Sequence, residues 1–448
     1  MTSPDPSGFR KLDGVPFFGS IIPLSRDALG LFTRALREQG DRVRMLVLGR
    51  SVLLLCHPED IEQVLVRDRE SYGRSTEHRM LRPIFGDGLL ASEGELWRRQ
   101  RSLLQPSFNH DPLAKYASIM LTVIRKQINR WQDGEVRNIH VEMMQYTRET
   151  ICAVLFGEDF TEARKEVGVA VSTVFGDLRS EILYLPIWRR LPFKRSRDWN
   201  RAVAVLNSSI GDAIRRRRTS PNVKSDLLAA LLALRDADGQ SMSDQQIHDE
   251  ILTFFLAGHE TAALGLTWAL YLLSAHPDIQ DRVIEEVRSI TQGGQVTADV
   301  YPKLRWTIAV VKEAMRLYPP VWSMGREAIV DTTLGGHRVA KGTDIWICLY
   351  QLHRDARWFA DPDVFLPERW IGDSSQKPFT YIPFGIGQRV CIGQHFAMME
   401  SVLGLAAMLS EIRFALKNPQ SVSLSAWITL RPRSPIELQI SRIGAATT

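Results

Sequence analysis

Phe384-Gly385-Ile386-Gly387-Gln388-Arg389-Val390-Cys391-Ile392-Gly393 is an apolar, glycine-spaced loop that presents one cysteine just where a helical pattern begins. From Ile392 to Ser410, residues Phe396, Met399, Leu403, Ala406 and Leu409 recur at the spacing of one buried helix face. A cysteine at such a place meets the N–H groups and the positive macrodipole end of a helix, which favour thiolate over thiol. The thiolate is the form that ligates metal. The glycines permit a tight turn and let N–H groups approach the sulfur, and Arg389 can meet a carboxylate lying beside it.

All five fixed positions of F-x-x-G-x-R-x-C-x-G are filled, a spacing that few unrelated chains satisfy. On those residues the loop resembles the haem-binding loop of the cytochrome P450 family, the haem-thiolate monooxygenases. The resemblance implies that Cys391 is the axial ligand of the iron in haem b, its electron push favouring O–O cleavage. It likewise makes Arg389 a propionate partner, Phe384 the ring that shields the sulfur, and Gly393 part of the cofactor cradle.

Ser243-Asp244-Gln245-Gln246 has the form of a capping box, and the next helix breaker is Pro277. The stretch between them predicts one helix of roughly 32 residues, about 48 Å long at 1.5 Å per residue. Ile251 to Leu273 is apolar enough to raise a transmembrane reading. His259 and Glu260 sit in its middle and no flanking basic loops accompany it, so a helix buried in protein is expected. Within it, Ala257-Gly258-His259-Glu260-Thr261 breaks the apolar run. Glycine lets another group lie against the backbone, and the Thr261 hydroxyl can bond back to the Ala257 carbonyl. The pentapeptide resembles the family's A-G-x-D/E-T signature, in which acid and alcohol relay protons. The resemblance gives Glu260 and Thr261 that role and makes Ala257 and Gly258 haem contacts. Helical spacing puts Phe254, Ala257, Gly258 and Thr261 on one face, with His259 pointing elsewhere as a core or groove residue.

Glu313-Ala314-Met315-Arg316 places opposite charges three apart on a helix that Pro319-Pro320 ends. It matches the family's E-x-x-R motif, and Pro367-Glu368-Arg369-Trp370 is similar to its P-E-R-F segment, with Trp370 standing where Phe is usual. The resemblance implies a buried scaffold of Glu313, Arg316 and Arg369 that serves folding and haem retention. Trp97 and Arg101 lie four apart on one predicted helix face and resemble a W-x-x-x-R pair that reaches a haem propionate. The run Val321 to Arg326 resembles the segment that lines the family's substrate pocket and then offers an arginine to a propionate. Val321, Trp322 and Phe254 are therefore candidate substrate contacts, and Arg326 a propionate candidate.

Composition sets the bounds. The 448 residues, 44% hydrophobic and 24% charged, are an ordinary globular mixture able to bury a large core. The net charge of +5 is modest and not gathered in a tail, which argues against nucleic acid as the main partner. Cys56, Cys152, Cys348 and Cys391 form no C-x-x-C pair and no zinc spacing, so a reducing compartment is expected. The apolar run Val15 to Leu24 is broken by Pro16, Gly19 and Pro23 and predicts neither a membrane anchor nor a signal peptide. With the resemblance, that implies the soluble, cytoplasmic, bacterial kind.

Arg42 to Cys56 reads as a strand pair turning at Gly49-Arg50 between helices, and Gly335-Gly336 and Lys341-Gly342 mark turns of further short hairpins. Tyr72 to Leu90, with Gly73, Pro83, Gly86 and Gly88, predicts a long site-shaping loop. Arg79 or Arg82 in that loop is a candidate to hold a substrate carboxylate, the alternative being a solvated charge. Leu113 to Phe175 predicts two or three helices, and Ile182 to Trp199 a connection that forms a lid over a hydrophobic pocket, preferred to one that brushes a membrane surface because no sustained amphipathic helix accompanies its basic residues. Arg215 to Arg218 predict a helix end stopped by Pro221.

The expected fold is mainly α with minor β. It is one cytochrome P450 domain over residues 1–448 with a small β-rich region near the N-terminus, and haem between the long central helix and the Cys391 loop. The expected reaction inserts one atom of O2 into a C–H or C=C bond of a lipophilic small molecule, the other atom becoming water. A terpenoid, fatty acid or polyketide of secondary metabolism fits that class. No G-x-G-x-x-G or flavin segment is present, so electrons ultimately from NAD(P)H would arrive through a separate ferredoxin- or flavodoxin-type partner. Three readings compete. A peroxide-driven enzyme of the same fold and a non-catalytic haem sensor or electron carrier have no need of the acid–alcohol pair. A cysteine hydrolase using Cys391 and His395 lacks an evident third residue and oxyanion loop.

Overall fold

The computed structural model describes residues 9–12, 19–157, 170, 173–174, 194–219, 226–372, 376–418, 422–426 and 428–444. Helices predominate, and the chain gathers into two compact units. One comprises Met1–Arg79, Ile308–Cys391 and Pro419–Ile436; the other comprises Met80–Thr307, Ile392–Asn418 and Glu437–Thr448.

In the first unit a six-stranded sheet runs in the order Arg10–Lys11, Arg42–Val47, Arg50–Leu55, Asp344–Cys348, Ser323–Ala328, Tyr72–Arg74. Asp344–Cys348 pairs parallel with Arg50–Leu55 and antiparallel with Ser323–Ala328, so segments some 290 residues apart share one sheet. Leu53, Leu54, Leu55, Ile345, Ile347 and Cys348 are buried, the near-continuous apolar run of strands covered on both faces. Helix Ile21–Gln39 adds Ala28, Leu31, Phe32, Ala35 and Leu36 to the same core at the spacing of one helix face. Each fully buried Leu or Phe of this kind contributes about 2 kcal/mol. The hairpin turns at Leu48 and Gly49, one residue earlier than expected, because Arg50 already pairs with Val47.

The second unit is built around the central helix, Asp244–Ala275, whose 32 residues run between the expected stops. Ser243 accepts from the Gln246 N–H and the Gln246 side chain accepts from the Ser243 N–H, closing the capping box. The central helix packs on helices Ile139–Phe156 and Gln394–Leu409, and the latter packs on His110–Ile128. A helix apolar nearly all round is stable only when so enclosed. Among the described residues no helix is long and apolar enough to cross a membrane.

Two expectations about loops are corrected. Tyr72 to Leu90 holds a strand, Tyr72–Arg74, and two short helices, Thr76–Met80 and Arg82–Phe85. The strand forms because it pairs with Ser323–Ala328, a long-range contact that no local period announces. Lys194 to Trp199, expected in a connection, opens helix Lys194–Thr219, which ends on the arginine run as anticipated. The rest of the expected lid, from residue 182 to 193, lies outside the described residues, as does most of 158–175.

Candidate active site

In the first unit the cysteine loop is tied down from two sides. Gly387 has φ +74°, and a Cβ there would overlap the Leu65 carbonyl, so only glycine lets the loop lie this close to Gln63–Arg67. The Cys391 N–H donates to the Phe384 carbonyl at 2.9 Å, closing the turn. Cys391 is exposed, whereas Cys56, Cys152 and Cys348 are buried. Burial pushes the Cys56 thiol up, and the Cys348 thiol up to about 12, so both stay protonated and inert. Exposure therefore singles out Cys391 as the sulfur open to a ligand.

Close to this loop, strand register collects cations. Arg74 stands opposite Arg326 across the pairing of their strands. Both line one cleft with Arg389, Tyr72, Val64 and Leu65. Burial first, then the charges of Arg74, Arg326 and Arg389, hold the His78 imidazole well below its ordinary range, so it is neutral. Arg326 donates to the Gly325 carbonyl at 2.8 Å and pairs with no carboxylate among the described residues. Desolvation lowers its pKa to about 10. A guanidinium in that position calls for an anion. Arg74 escaped the sequence reading because only the β register brings it here.

In the second unit, every residue of the central helix from Asp249 to Leu270 is buried except Ala257, Gly258 and Thr261. The Thr261 hydroxyl donates to the Ala257 carbonyl at 2.8 Å. A Cβ on Gly258 would meet Ile151 only at an ordinary 3.7 Å, so packing within this unit does not require the glycine. Glu260 and His259 are buried; the His259 ring stacks on Phe255, and the Thr147 hydroxyl donates to its carbonyl at 2.8 Å. Trp97 and Arg101 lie on helix Gly94–Leu104, with Trp97 buried.

These residues fit a haem. The first unit offers an exposed sulfur for iron and, at Arg326, a buried guanidinium with no carboxylate partner among the described residues; the second unit, by itself, offers a helix face of small residues at its open point. The family model "Cytochrome P450" matches residues 10–440. Cyclooctatin synthase of Streptomyces melanosporofaciens is 35% identical over 406 residues, covering 89% of this chain and 88% of the relative. The chain belongs to the cytochrome P450 family. Pentalenene oxygenase of Streptomyces avermitilis is 33% identical to the P450 over 430 residues, 95% of this chain and 96% of that one. The retinoic acid-bound structure of cyanobacterial CYP120A1 superposes on it with a TM-score of 0.88 at 25% identity, covering 97% of this chain and 99% of that one. The P450 is a haem-thiolate monooxygenase that uses haem iron, O2, redox partners and a lipophilic substrate, as its family does. The cysteine-hydrolase reading falls away.

The P450's ion network is denser than the motifs implied. Glu313 and Arg316 are both fully buried and joined by two hydrogen bonds, of 2.9 and 2.8 Å. Arg369 Nε adds a third bond to Glu313 at 2.9 Å, and the Trp370 indole N–H a fourth at 2.8 Å. Tryptophan in place of phenylalanine thus supplies a donor that phenylalanine lacks. Arg316 also donates to the carbonyls of His353, Pro362 and Val364. Buried charges are tolerable when satisfied this completely.

Other candidates are reassigned by their neighbours. Trp322, 4% exposed, packs on Phe32 in the core of the first unit instead of facing a pocket. Phe254 packs edge-on against Phe108, and Val321 is half-buried. Arg79 pairs with Glu327, and Arg82 with Asp87 at 2.6 Å, so neither is the open cation expected for a substrate carboxylate.

Proposed function

We propose that this P450 hydroxylates or epoxidises a terpenoid, with Cys391 as iron ligand and Glu260 and Thr261 as the proton-delivery pair. Arg326, Arg389, Trp97 and Arg101, joined by Arg74, hold the propionates; Ala257, Gly258, Phe384 and Gly393 wall the cofactor. Haem, when bound, supplies the reductive activation of O2. The Thr261 hydroxyl, parked on the Ala257 carbonyl, is positioned to hold and pass a proton at the open point of the helix, with the buried Glu260 carboxyl as its source. Val321 and Phe254 remain the proposed apolar substrate contacts.

One observation carries this reading: a helix buried over some twenty residues opens only where an alcohol and two small residues stand. The substrate class is supported by relatives named for acting on cyclooctat-9-en-7-ol and pentalenene, and by the retinoic acid in CYP120A1. We further propose a cytoplasmic protein whose two units work as one domain with its β-rich region near the N-terminus. Its electrons come from NAD(P)H through a ferredoxin- or flavodoxin-type partner.

The test is direct. The reduced protein with carbon monoxide should give the red-shifted thiolate-type absorption, and Cys391→Ala should lose it. With a surrogate ferredoxin and its reductase, a panel of cyclic terpenes should yield products one oxygen heavier. Persistence of the band in Cys391→Ala, or oxidation of fatty acids but no terpene, would overturn the respective half of the proposal.

A further inference from the structure

Two adjacent carboxyls near the start of the central helix grip the backbone of an upstream segment. Asp249 Oδ2 accepts the Asp87 N–H at 2.9 Å, and Glu250 Oε2 accepts the Leu89 N–H at 3.0 Å. Gly86 and Gly88 lie flush on the helix, since a Cβ would overlap the Asp249 carboxylate at the first and the Thr253 hydroxyl at the second. From another side Gln100 donates to the Asp87 carbonyl at 2.7 Å. The segment is thus clamped at alternate amides.

The two acids differ in state. Burial raises Asp249, but bonds from His248, the Asp87 N–H and Gln245 outweigh it, leaving its pKa below the ordinary value and the group ionised. Glu250 is wholly buried. Burial, opposed by the Leu89 N–H and reinforced by the charge of Asp249, pushes it up to about 8. Among the described residues its Oε1 has no hydrogen-bond partner, and neither do Thr253 Oγ1 and Gln100 Oε1 around the same segment. An ionised Glu250 would therefore hold its charge on one donor, beside a second carboxylate. Among the described residues, Arg82 and the Asp87 side chain pair with each other, and His248 bonds Asp249.

We propose that Glu250 is a positioning residue: its buried carboxyl, bonded to the Leu89 amide, keeps Gly86–Leu89 closed on the central helix and so sets the fit of a bulky ligand. Helical spacing puts Glu250 on one stripe with Phe254, Ala257 and Thr261, and the segment closes over the upstream end of that stripe. The ligand half of this claim rests on the proposed haem site, whereas the closure of Gly86–Leu89, read by hydrogen exchange, does not.

The test uses the full haem-loaded chain. For a group titrating near 8, the ionised fraction rises from about one-tenth at pH 7 to about nine-tenths at pH 9. Hydrogen exchange over residues 86–91, corrected for its intrinsic pH dependence, should lose about tenfold in protection across that range in the wild type. Glu250→Gln keeps the acceptor for Leu89 and removes the titration, so it should hold the protection seen at pH 7 throughout. The affinity for 4-phenylimidazole, read from the Soret shift, should follow the same pH profile in the wild type and be flat in Glu250→Gln; affinity for imidazole itself should be flat in both. Wild-type exchange that is flat from pH 7 to 9, or a glutamine variant that tracks the wild type, would overturn the proposal. The exchange arm with wild-type protein decides the matter even if the variant folds poorly.

Discussion

Thr261 donates its hydroxyl proton to the Ala257 carbonyl at 2.8 Å, across one turn of a helix that is open there and buried on both sides. The bond fixes the hydroxyl's position while leaving its oxygen free to accept. Removing it should sever proton delivery without harming the fold. In Thr261→Ala we expect an unchanged carbon monoxide band, with product formed per electron pair down roughly tenfold or more and peroxide rising to match. Thr261→Ser should restore most of the coupling. Equal coupling in the alanine variant would remove Thr261 from the chemistry.

Glu313, fully buried together with Arg316, is held by Arg316 and by the half-buried Arg369 and Trp370 indole. Glu313→Gln removes the counter-charge of the fully buried Arg316, and a broken buried pair of this kind costs about 3–5 kcal/mol. The variant should lose its denaturation midpoint and its bound haem together. Trp370→Phe removes one hydrogen bond from a charged acceptor and should cost about 1.5–3 kcal/mol. If Trp370→Phe matches the wild-type midpoint, the indole is not part of the network's stability.

Which parts of this were legible in the chain depends on whether the signal was local. Ser243 and Gln246 announced the central helix because both halves of a capping box lie within one turn, and Thr261 announced its own bond because Ala257 is one turn away. Arg74 was invisible because its place opposite Arg326 is set by pairing between strands about 250 residues apart. The same holds for Trp322, an aromatic beside a proline pair that reads as pocket lining until Phe32 is seen against it. Asp249 and Glu250 look like ordinary acids of a helix's first turns; their hold on Asp87 and Leu89 is tertiary, and no local pattern announces it.

Arg326 lacks a carboxylate partner among the described residues, and desolvation brings its pKa down to about 10. In the haem-free protein that is a strain; a propionate would relieve it. Arg326→Leu should therefore leave the apoprotein as stable as the wild type or slightly more so, while weakening haem retention about tenfold or more, in line with a lost charge-assisted bond. Thermal unfolding of the apoprotein and competition for haem by apomyoglobin give the two numbers. A variant that unfolds earlier as apoprotein and keeps haem normally would show that Arg326 serves the fold instead.

His353 gives a pH dependence whose sign can be worked out. Its ring is buried, Nε2 accepts the Ile382 N–H at 3.1 Å, and burial followed by the charges of Arg316 and Arg354 lowers its pKa to about 3. The unfolded chain protonates this group near the ordinary 6.5, so between those values the unfolded state binds the proton and the folded state does not. The contribution to stability is whole above pH 6.5 and drains away as pH falls toward 3. Glu250 and Glu400, whose carboxyls burial raises, act in the opposite sense, losing stability as pH rises above the ordinary carboxylate range. His353→Asn keeps an acceptor for Ile382 and cannot titrate, so subtracting its unfolding free energy from that of the wild type isolates the histidine. The difference should be constant above pH 7 and shift against the wild type by a few kcal/mol on acidification to pH 4. A difference that stays level across the acid range would mean that His353 is protonated in the folded protein, and that the Ile382 N–H has another acceptor.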